Sequence, residues 1–252
     1  MGKKPARPTA PPRQKPAATR RQQEAIEQAK AARKRQQRQI ILAGIGGILA
    51  VAVIVAFFLL RDDGMPGVKA GAAIDSSIPQ SGLTIGDPNA PVALVEYADF
   101  QCTACAQMNA DAFPQLLQEY VAQGKVAFTF VPNAILGDES TAATEAALCA
   151  NDQGQFWAMH NALFASQHGQ NDGGFSADRL RAIAKKVGLD LDQYDSCMEA
   201  NTHSGEVQNY HATAQQEGIS STPTFVINNA EPFGWDSWES LKAEIDSALG
   251  AG

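Results

Sequence analysis

Across 252 residues the chain has only four cysteines, four histidines and three tryptophans. It contains no glycine-rich phosphate loop and no nucleophile-elbow motif, which removes the usual signatures of nucleotide binding and serine-hydrolase chemistry. His160, His168, His203 and His211 are not spaced with any acid in the manner of metal ligands, so neither a metal nor a bound cofactor is expected. No repeat recurs at a fixed period, which excludes solenoids and propellers. Basic residues are scarce beyond Arg61. Seven stand against twenty-five acidic ones, a balance of −18 that the whole-chain value of −7 conceals. So acidic a region argues against nucleic acid as a partner and against lying flat on an anionic membrane.

Long apolar runs are missing with one exception. Residues 40–60 carry no charge, and roughly twenty such residues cross a bilayer as a helix. A cleaved secretory signal has a shorter apolar core, about 7–15 residues, with a small-residue cleavage site close behind. Here the run ends in Phe57-Phe58-Leu59-Leu60-Arg61-Asp62-Asp63, and the small cluster Ala70-Gly71-Ala72-Ala73 comes well after it. An uncleaved transmembrane signal-anchor is therefore expected. Residues 1–39 carry twelve Lys and Arg against Glu24 and Glu27, with five prolines between Pro5 and Pro16. The prolines point to an extended, solvated tail. The Gln, Glu, Ala, Lys and Arg that follow are good helix formers. The positive-inside rule puts this tail in the cytoplasm and everything after the anchor outside. A basic run can also bind nucleic acid, but its place beside the apolar run favours the membrane. Residues 61–82, rich in Gly, Ala, Ser and Pro, read as a linker holding the folded part off the bilayer.

Residues 83–252 are enough for one domain with a substantial core. Its organising stretch is Phe100-Gln101-Cys102-Thr103-Ala104-Cys105. The apolar, strand-like run Val92-Ala93-Leu94-Val95-Glu96-Tyr97-Ala98 precedes it, and a helix-like segment follows. Cys102 thus falls at a strand-to-helix turn, where the free amides and positive end of a helix stabilise a thiolate. Cys105 lies one turn further along and can attack a mixed disulfide formed at Cys102. Strand, C-x-x-C and helix together read as a thioredoxin-like redox site. The competing reading, half a zinc site, needs two more soft ligands at suitable spacing. The remaining cysteines, Cys149 and Cys197, form no second C-x-x-C.

The coarse order around this motif is a short strand at residues 83–85, the strand at 92–98, and a helix over 105–122 kinked by Pro114. A strand at 126–131 completes a βαβ unit. A helical block follows, with helices over 140–151, 155–167, 178–187 and 193–200. Then come a helix over 207–217, a strand at 224–228, a turn at Asn228-Asn229 and a short strand near 231–233. The last helix spans 237–249, with Asp236 and Glu239 in capping-box spacing. The fold class is α/β: a thioredoxin fold with a helical subdomain inserted at about 138–201, preceded by one N-terminal transmembrane helix. Ser221-Thr222-Pro223-Thr224-Phe225 falls just before the third main strand, where a proline costs no ladder hydrogen bond.

On Val95 to Cys105, on Gln155-Phe156-Trp157 and on Ser221 to Phe225, the chain resembles the DsbA family of bacterial thiol–disulfide oxidoreductases, in particular its membrane-tethered members. The resemblance implies that Pro223 is cis and faces the C-x-x-C, and that Thr222 offers its backbone to a substrate peptide. It implies that Glu96 is a buried acid passing protons beneath the site; the other reading of Glu96 is an edge or solvent-facing residue. It also implies exported protein substrates with free thiols, and a membrane reoxidase of the DsbB or vitamin K epoxide reductase type. One departure stands out. The family's best-known oxidants have Pro-His between the cysteines, and here Thr103-Ala104 takes that place. Some relatives carry an extra cysteine pair, and in an oxidising compartment Cys149 and Cys197 are expected to form a structural disulfide; the alternative is two buried free thiols. The function expected is extracytoplasmic disulfide formation through Cys102 and Cys105. The alternatives are a reductase or isomerase on the same fold, and a tethered peptide-binding module without catalysis.

Overall fold

The computed structural model describes residues 65–250 and six helical positions of the tail, Glu27, Gln28, Lys30, Arg33, Lys34 and Arg35. The transmembrane helix expected over residues 40–60 lies outside the described residues. Among the described residues no helix is long and apolar enough to cross a membrane. The chain divides into residues 1–63 and 64–252, and all the described strands lie in the second unit.

Those strands are β1 (Gln80–Ser81), β2 (Thr84–Ile85), β3 (Val92–Ala98), β4 (Val126–Pro132), β5 (Thr224–Ile227) and β6 (Phe233–Gly234). They form one sheet in the order β1-β2-β4-β3-β5-β6. β3 and β4 are parallel, and every other neighbouring pair is antiparallel. β3 is central, so both its edges are paired and its residues alternate between two covered faces. Val92, Leu94, Glu96 and Ala98 point into the main core. Val95 and Tyr97 point the other way, into a smaller cluster with Ala214, Ile219, Val131 and Val226. The first strand expected at 83–85 is the two-residue β2, and β1 is an additional strand, its Gln80 and Ser81 pairing antiparallel with Ile85 and Thr84.

The helix expected over 105–122 is three pieces. α1 (Thr103–Asp111) opens two residues earlier, with Cys102 as its N-cap. α2 (Phe113–Leu116) carries Pro114 in its first turn, and Leu117–Val121 winds as a π turn. Pro114 has no N–H to donate backwards, so the break falls where the missing donor does least harm. The insertion comprises α3 (Asp138–Asn151), α4 (Phe156–Ser166), α5 (Ala177–Val187) and α6 (Leu191–Glu199). Gly188, in the left-handed region at φ 86°, ends α5, and the Asp190 carboxyl caps α6 by accepting from the amides of Asp192 and Gln193. α7 (Ser204–Gln216) contacts β4, and α8 (Trp238–Gly250) lies against β3. At the start of α8 the Ser237 hydroxyl, rather than the expected Asp236, accepts from the amide of Ser240.

Insertion and sheet are joined by aromatic packing. Phe113 stacks on Trp157 at 5.7 Å, and Phe100 on Phe130 at 5.2 Å. His160 sits among these rings, 4.7 Å from Phe130 and 5.0 Å from both Trp157 and Phe164. Its burial pulls the imidazole pKa down to about 4, so this histidine is a neutral core residue.

Residues 65–79 have no regular structure, yet they do not stand away from the domain as a linker would. They form a strap along α4. The Lys69 amide donates to Ser166 Oγ at 2.8 Å, Asn161 Nδ2 donates to the Ala72 carbonyl at 2.8 Å, and Arg179 Nη1 donates to the Pro66 carbonyl at 2.9 Å. Gly71 passes so close to the Asn161 backbone that a Cβ there would collide with it. Small residues in this stretch serve close approach as well as flexibility.

Candidate active site

β3 ends at Ala98, and the chain turns so that the Cys102 amide donates to the Asp99 carbonyl at 3.0 Å. Cys102 has extended backbone angles, φ −73° and ψ 122°, and its sulfur accepts from the Cys105 amide at 3.5 Å. A cysteine thus holds the position usually filled by Ser, Thr, Asp or Asn, and the first-turn amides that seek an acceptor find a sulfur. The Cys105 thiol and the amides of Cys105 and Ala104 hold the Cys102 pKa down to about 6, against the opposing effect of burial. Cys105 is wholly buried. Burial, then the neighbouring Cys102 and Glu96, push its thiol far above the ordinary range. Both sulfurs are free thiols, so one side chain is poised as a thiolate and the other is held as a thiol.

Glu96 lies beneath this pair. Parity along β3 places it on the core side, between Phe130 of β4 and Phe225 of β5 in the sheet register. It is 2% exposed, and its Oε1 has no hydrogen-bond partner. Burial, then the charge on Cys102, raises its pKa to about 8, so near neutrality the carboxyl keeps its proton. Opposite the motif, the Thr222–Pro223 peptide bond is cis, and the Cys102 sulfur lies 3.2 Å from the Thr222 carbonyl oxygen. The structure therefore brings Cys102, Cys105, Glu96, Thr222 and Pro223 together from β3, α1 and the entry to β5.

The family model described as Thioredoxin matches residues 79–247. The chain belongs to the thioredoxin family, among its DsbA-like thiol–disulfide oxidoreductases. It is similar to the probable disulfide bond formation protein D of Bacillus anthracis, 28% identical over 172 residues that cover 66% of this chain and 77% of that one. The oxidised BdbD structure from Bacillus subtilis superposes with a TM-score of 0.62 at 25% identity, covering 67% of this chain and 93% of that one. The Na(+)/H(+) antiporter NhaA 3 of Salinispora tropica is 35% identical over 164 residues, covering 65% of this chain but only 24% of the antiporter.

In this oxidoreductase the turn before Cys102 is held by side chains that no sequence motif announces. Asp99, fully buried, accepts four hydrogen bonds. Its Oδ1 takes the Gln101 amide at 2.7 Å and the Ser140 hydroxyl at 2.6 Å, and its Oδ2 takes the amides of Ile135 and Leu136 at 2.8 and 3.0 Å. Gln101 Nε2 donates to Ser140 Oγ at 2.9 Å, and Gln101 Oε1 accepts the Asn171 amide at 2.6 Å. Gln167 Nε2 donates to the carbonyls of both Phe100 and Cys102, at 2.7 and 2.9 Å. The insertion thereby grips the backbone that carries the nucleophile. Asp99→Ala leaves three backbone amides and a hydroxyl without their acceptor, and should cost roughly 3 kcal/mol of stability. Urea denaturation is the measurement, and a loss within experimental error would mean that the clamp is dispensable.

The second cysteine pair lies elsewhere in the oxidoreductase. Cys149 of α3 and Cys197 of α6 are disulfide-bonded, with Cα atoms 5.9 Å apart. His203, which sequence spacing had not linked to any acid, stands beside them between two carboxylates. Its Nε2 is 2.8 Å from Asp152 and its Nδ1 is 2.9 Å from Glu206. Asp152 and His203 are 51 residues apart, and only the packing of α7 beside α3 brings them together.

Proposed function

We propose that this oxidoreductase works as an oxidant, introducing disulfides into exported proteins outside the cytoplasm while residues 40–60 anchor it in the membrane. The observation that carries the direction is the depressed Cys102 pKa. A stabilised thiolate favours the reduced pair, and a favoured reduced pair is the driving force for passing a disulfide to a substrate. In the reaction a substrate thiolate attacks Cys102 of the Cys102–Cys105 disulfide. The Cys102–Cys105 bond breaks, a mixed disulfide forms, and the electron pair leaves on Cys105. Glu96, protonated near neutrality, supplies the proton that Cys105 takes. A second substrate thiolate then attacks the substrate sulfur and expels Cys102 as a thiolate, leaving the substrate oxidised and the pair reduced. Thr222 presents backbone to the bound peptide, and the cis Pro223 shapes that edge. In the absence of a second substrate thiol, Cys105 attacks Cys102 and releases the substrate unchanged. No bound cofactor enters this sequence; a membrane reoxidase of the DsbB or vitamin K epoxide reductase type restores the disulfide.

The names of the Bacillus relatives support disulfide formation over reduction, and a matching segment inside a sodium/proton antiporter fits a membrane-held setting. Equilibration of the full chain with glutathione tests the direction. The expected potential is above about −230 mV, and a value near the thioredoxin level of about −270 mV would turn the reading to a reductase. Complete failure to oxidise a reduced peptide would leave only a binding module. Protease treatment of intact cells carrying tags at both ends tests the anchor: the C-terminal tag should be lost and the N-terminal one protected.

Thr103-Ala104 sets how strong the oxidant is. Neither side chain offers the thiolate a positive partner, whereas a histidine at position 104 would. Replacing the pair by Pro-His should raise the potential by roughly 30–60 mV, one to two factors of ten in the exchange constant. An unchanged or lower potential in the same titration would show that the helix terminus alone governs the site.

A further inference from the structure

The Cys149–Cys197 disulfide has a polar neighbourhood that a purely structural cross-link does not need. Cys149, Cys197 and His203 each present a ligand atom, and these three atoms lie within 4.8 Å of one another. Asp152 Oδ2 joins them, 3.8 Å from Cys197 Sγ and 2.8 Å from His203 Nε2. The four groups come from three elements: Cys149 and Asp152 from the end of α3, Cys197 from α6, and His203 from the start of α7.

We propose that, once the Cys149–Cys197 disulfide is reduced, the two thiolates, His203 and Asp152 form a site for zinc(II). Two sulfurs, one imidazole nitrogen and one carboxylate oxygen make a donor set suited to tetrahedral zinc, whose bonds to these atoms are about 2.0–2.3 Å. Atoms already this close reach a common centre by small side-chain rotations, because breaking the S–S bond lets the sulfurs move apart. The ring is also held as a ligating histidine is held. Its Nδ1 is engaged by Glu206 at 2.9 Å, which leaves Nε2 facing Asp152 and the sulfurs. A carboxylate on the far ring nitrogen fixes tautomer and orientation in metal-bound histidines. His203 is mostly shielded, its side chain 14% exposed, while Asp152 is half exposed and gives the ion an entry path.

The chemistry balances. A dithiol reductant passes two electrons and two protons to the Cys149–Cys197 disulfide and itself becomes a disulfide. Zinc(II) then displaces the two thiol protons. In the oxidised protein neither sulfur is a thiolate and the site does not exist, so metal binding and the disulfide exclude each other.

Cobalt(II) is the probe, because thiolate-bound cobalt has a charge-transfer band and tetrahedral cobalt has strong visible bands. The protein is the full chain with Cys102→Ser and Cys105→Ser, which removes the competing dithiol. After reduction and removal of the reductant, cobalt should bind one to one with both bands, and zinc should displace it. The oxidised protein should give no thiolate band. His203→Ala and Asp152→Ala should each weaken binding at least tenfold and alter the visible bands, with circular dichroism following the fold. The absence of a thiolate band in the reduced protein would overturn the proposal, as would a spectrum indifferent to His203→Ala. A reduced chain that unfolds and is not refolded by zinc would overturn it equally.

Discussion

At pH 7 a soft alkylating reagent should modify Cys102 roughly a thousandfold faster than Cys105 in the reduced protein, since only a thiolate reacts and only an accessible one is reached. With a pKa of about 6, Cys102 is mostly thiolate at that pH, and the residue is 8% exposed whereas Cys105 is 0% exposed. Cys105 is wholly buried and keeps its proton far into the alkaline range. The pH dependence has a defined sign. Labelling of Cys102 should be flat from pH 9 down to about 7 and fall as the pH drops through about 6. The same shift stabilises the folded, reduced protein. That contribution is full above the ordinary thiol value of 9.0 and is lost as the pH falls through about 6. Glu96 acts in the opposite sense. Its raised pKa contributes stability that is full below the ordinary 4.5 and lost as the pH rises through about 8. From these two groups the reduced protein should therefore show a broad stability minimum between about pH 6 and 8, where neither contribution is full. Quenched labelling with peptide mapping reads the thiol rates. Equal rates at the two cysteines would refute the assignment, as would a Cys102 rate still climbing between pH 8 and 9.

The parts of this site that were legible in the sequence are those written in short stretches. The C-x-x-C after an apolar run is local, and its reactivity follows from a helix terminus that forms whatever packs above it. The insertion was legible for the same reason, as breaker residues such as Gly154 and Gly188 fall between helical stretches. Glu96 shows the limit. Alternation along β3 puts it on one face with Leu94, but which face is buried depends on where α4 and its aromatic rings dock. Asp99 was not legible at all. Its four donors come from Gln101, Ile135, Leu136 and Ser140, and no spacing links a turn after one strand to the start of a helix some forty residues on. His203 is the same case, drawn to Asp152 and the cysteine pair by helix packing. The strap at residues 65–79 looked like a linker because its composition is that of a linker. What fixes it is a set of single hydrogen bonds to α4 and Arg179.

Removal of the second disulfide should lower the melting temperature while leaving exchange activity intact. The bond joins residues 48 apart, and a loop of that length is worth at most about 4 kcal/mol in the chain-entropy model. For a domain of this size that corresponds to a fall on the order of 10 °C in melting temperature. The figure is a ceiling, because α6 keeps other attachments. Arg181 of α5 grips Asp195 of α6 with paired hydrogen bonds at 2.9 and 2.8 Å, and Gln153 Nε2 donates to the Asp190 carbonyl at 3.1 Å. The exchange chemistry should persist because the nucleophile is held from another direction, by Gln167, Ser140 and Asn171 at the opposite margin of the insertion. Cys149→Ala/Cys197→Ala, studied by calorimetry and by oxidation of a reduced peptide, separates the two expectations. An unchanged melting temperature would show that the cross-link restrains nothing. Lost exchange in a variant that still melts cooperatively would show that this pair takes part in the electron transfer and is not a brace.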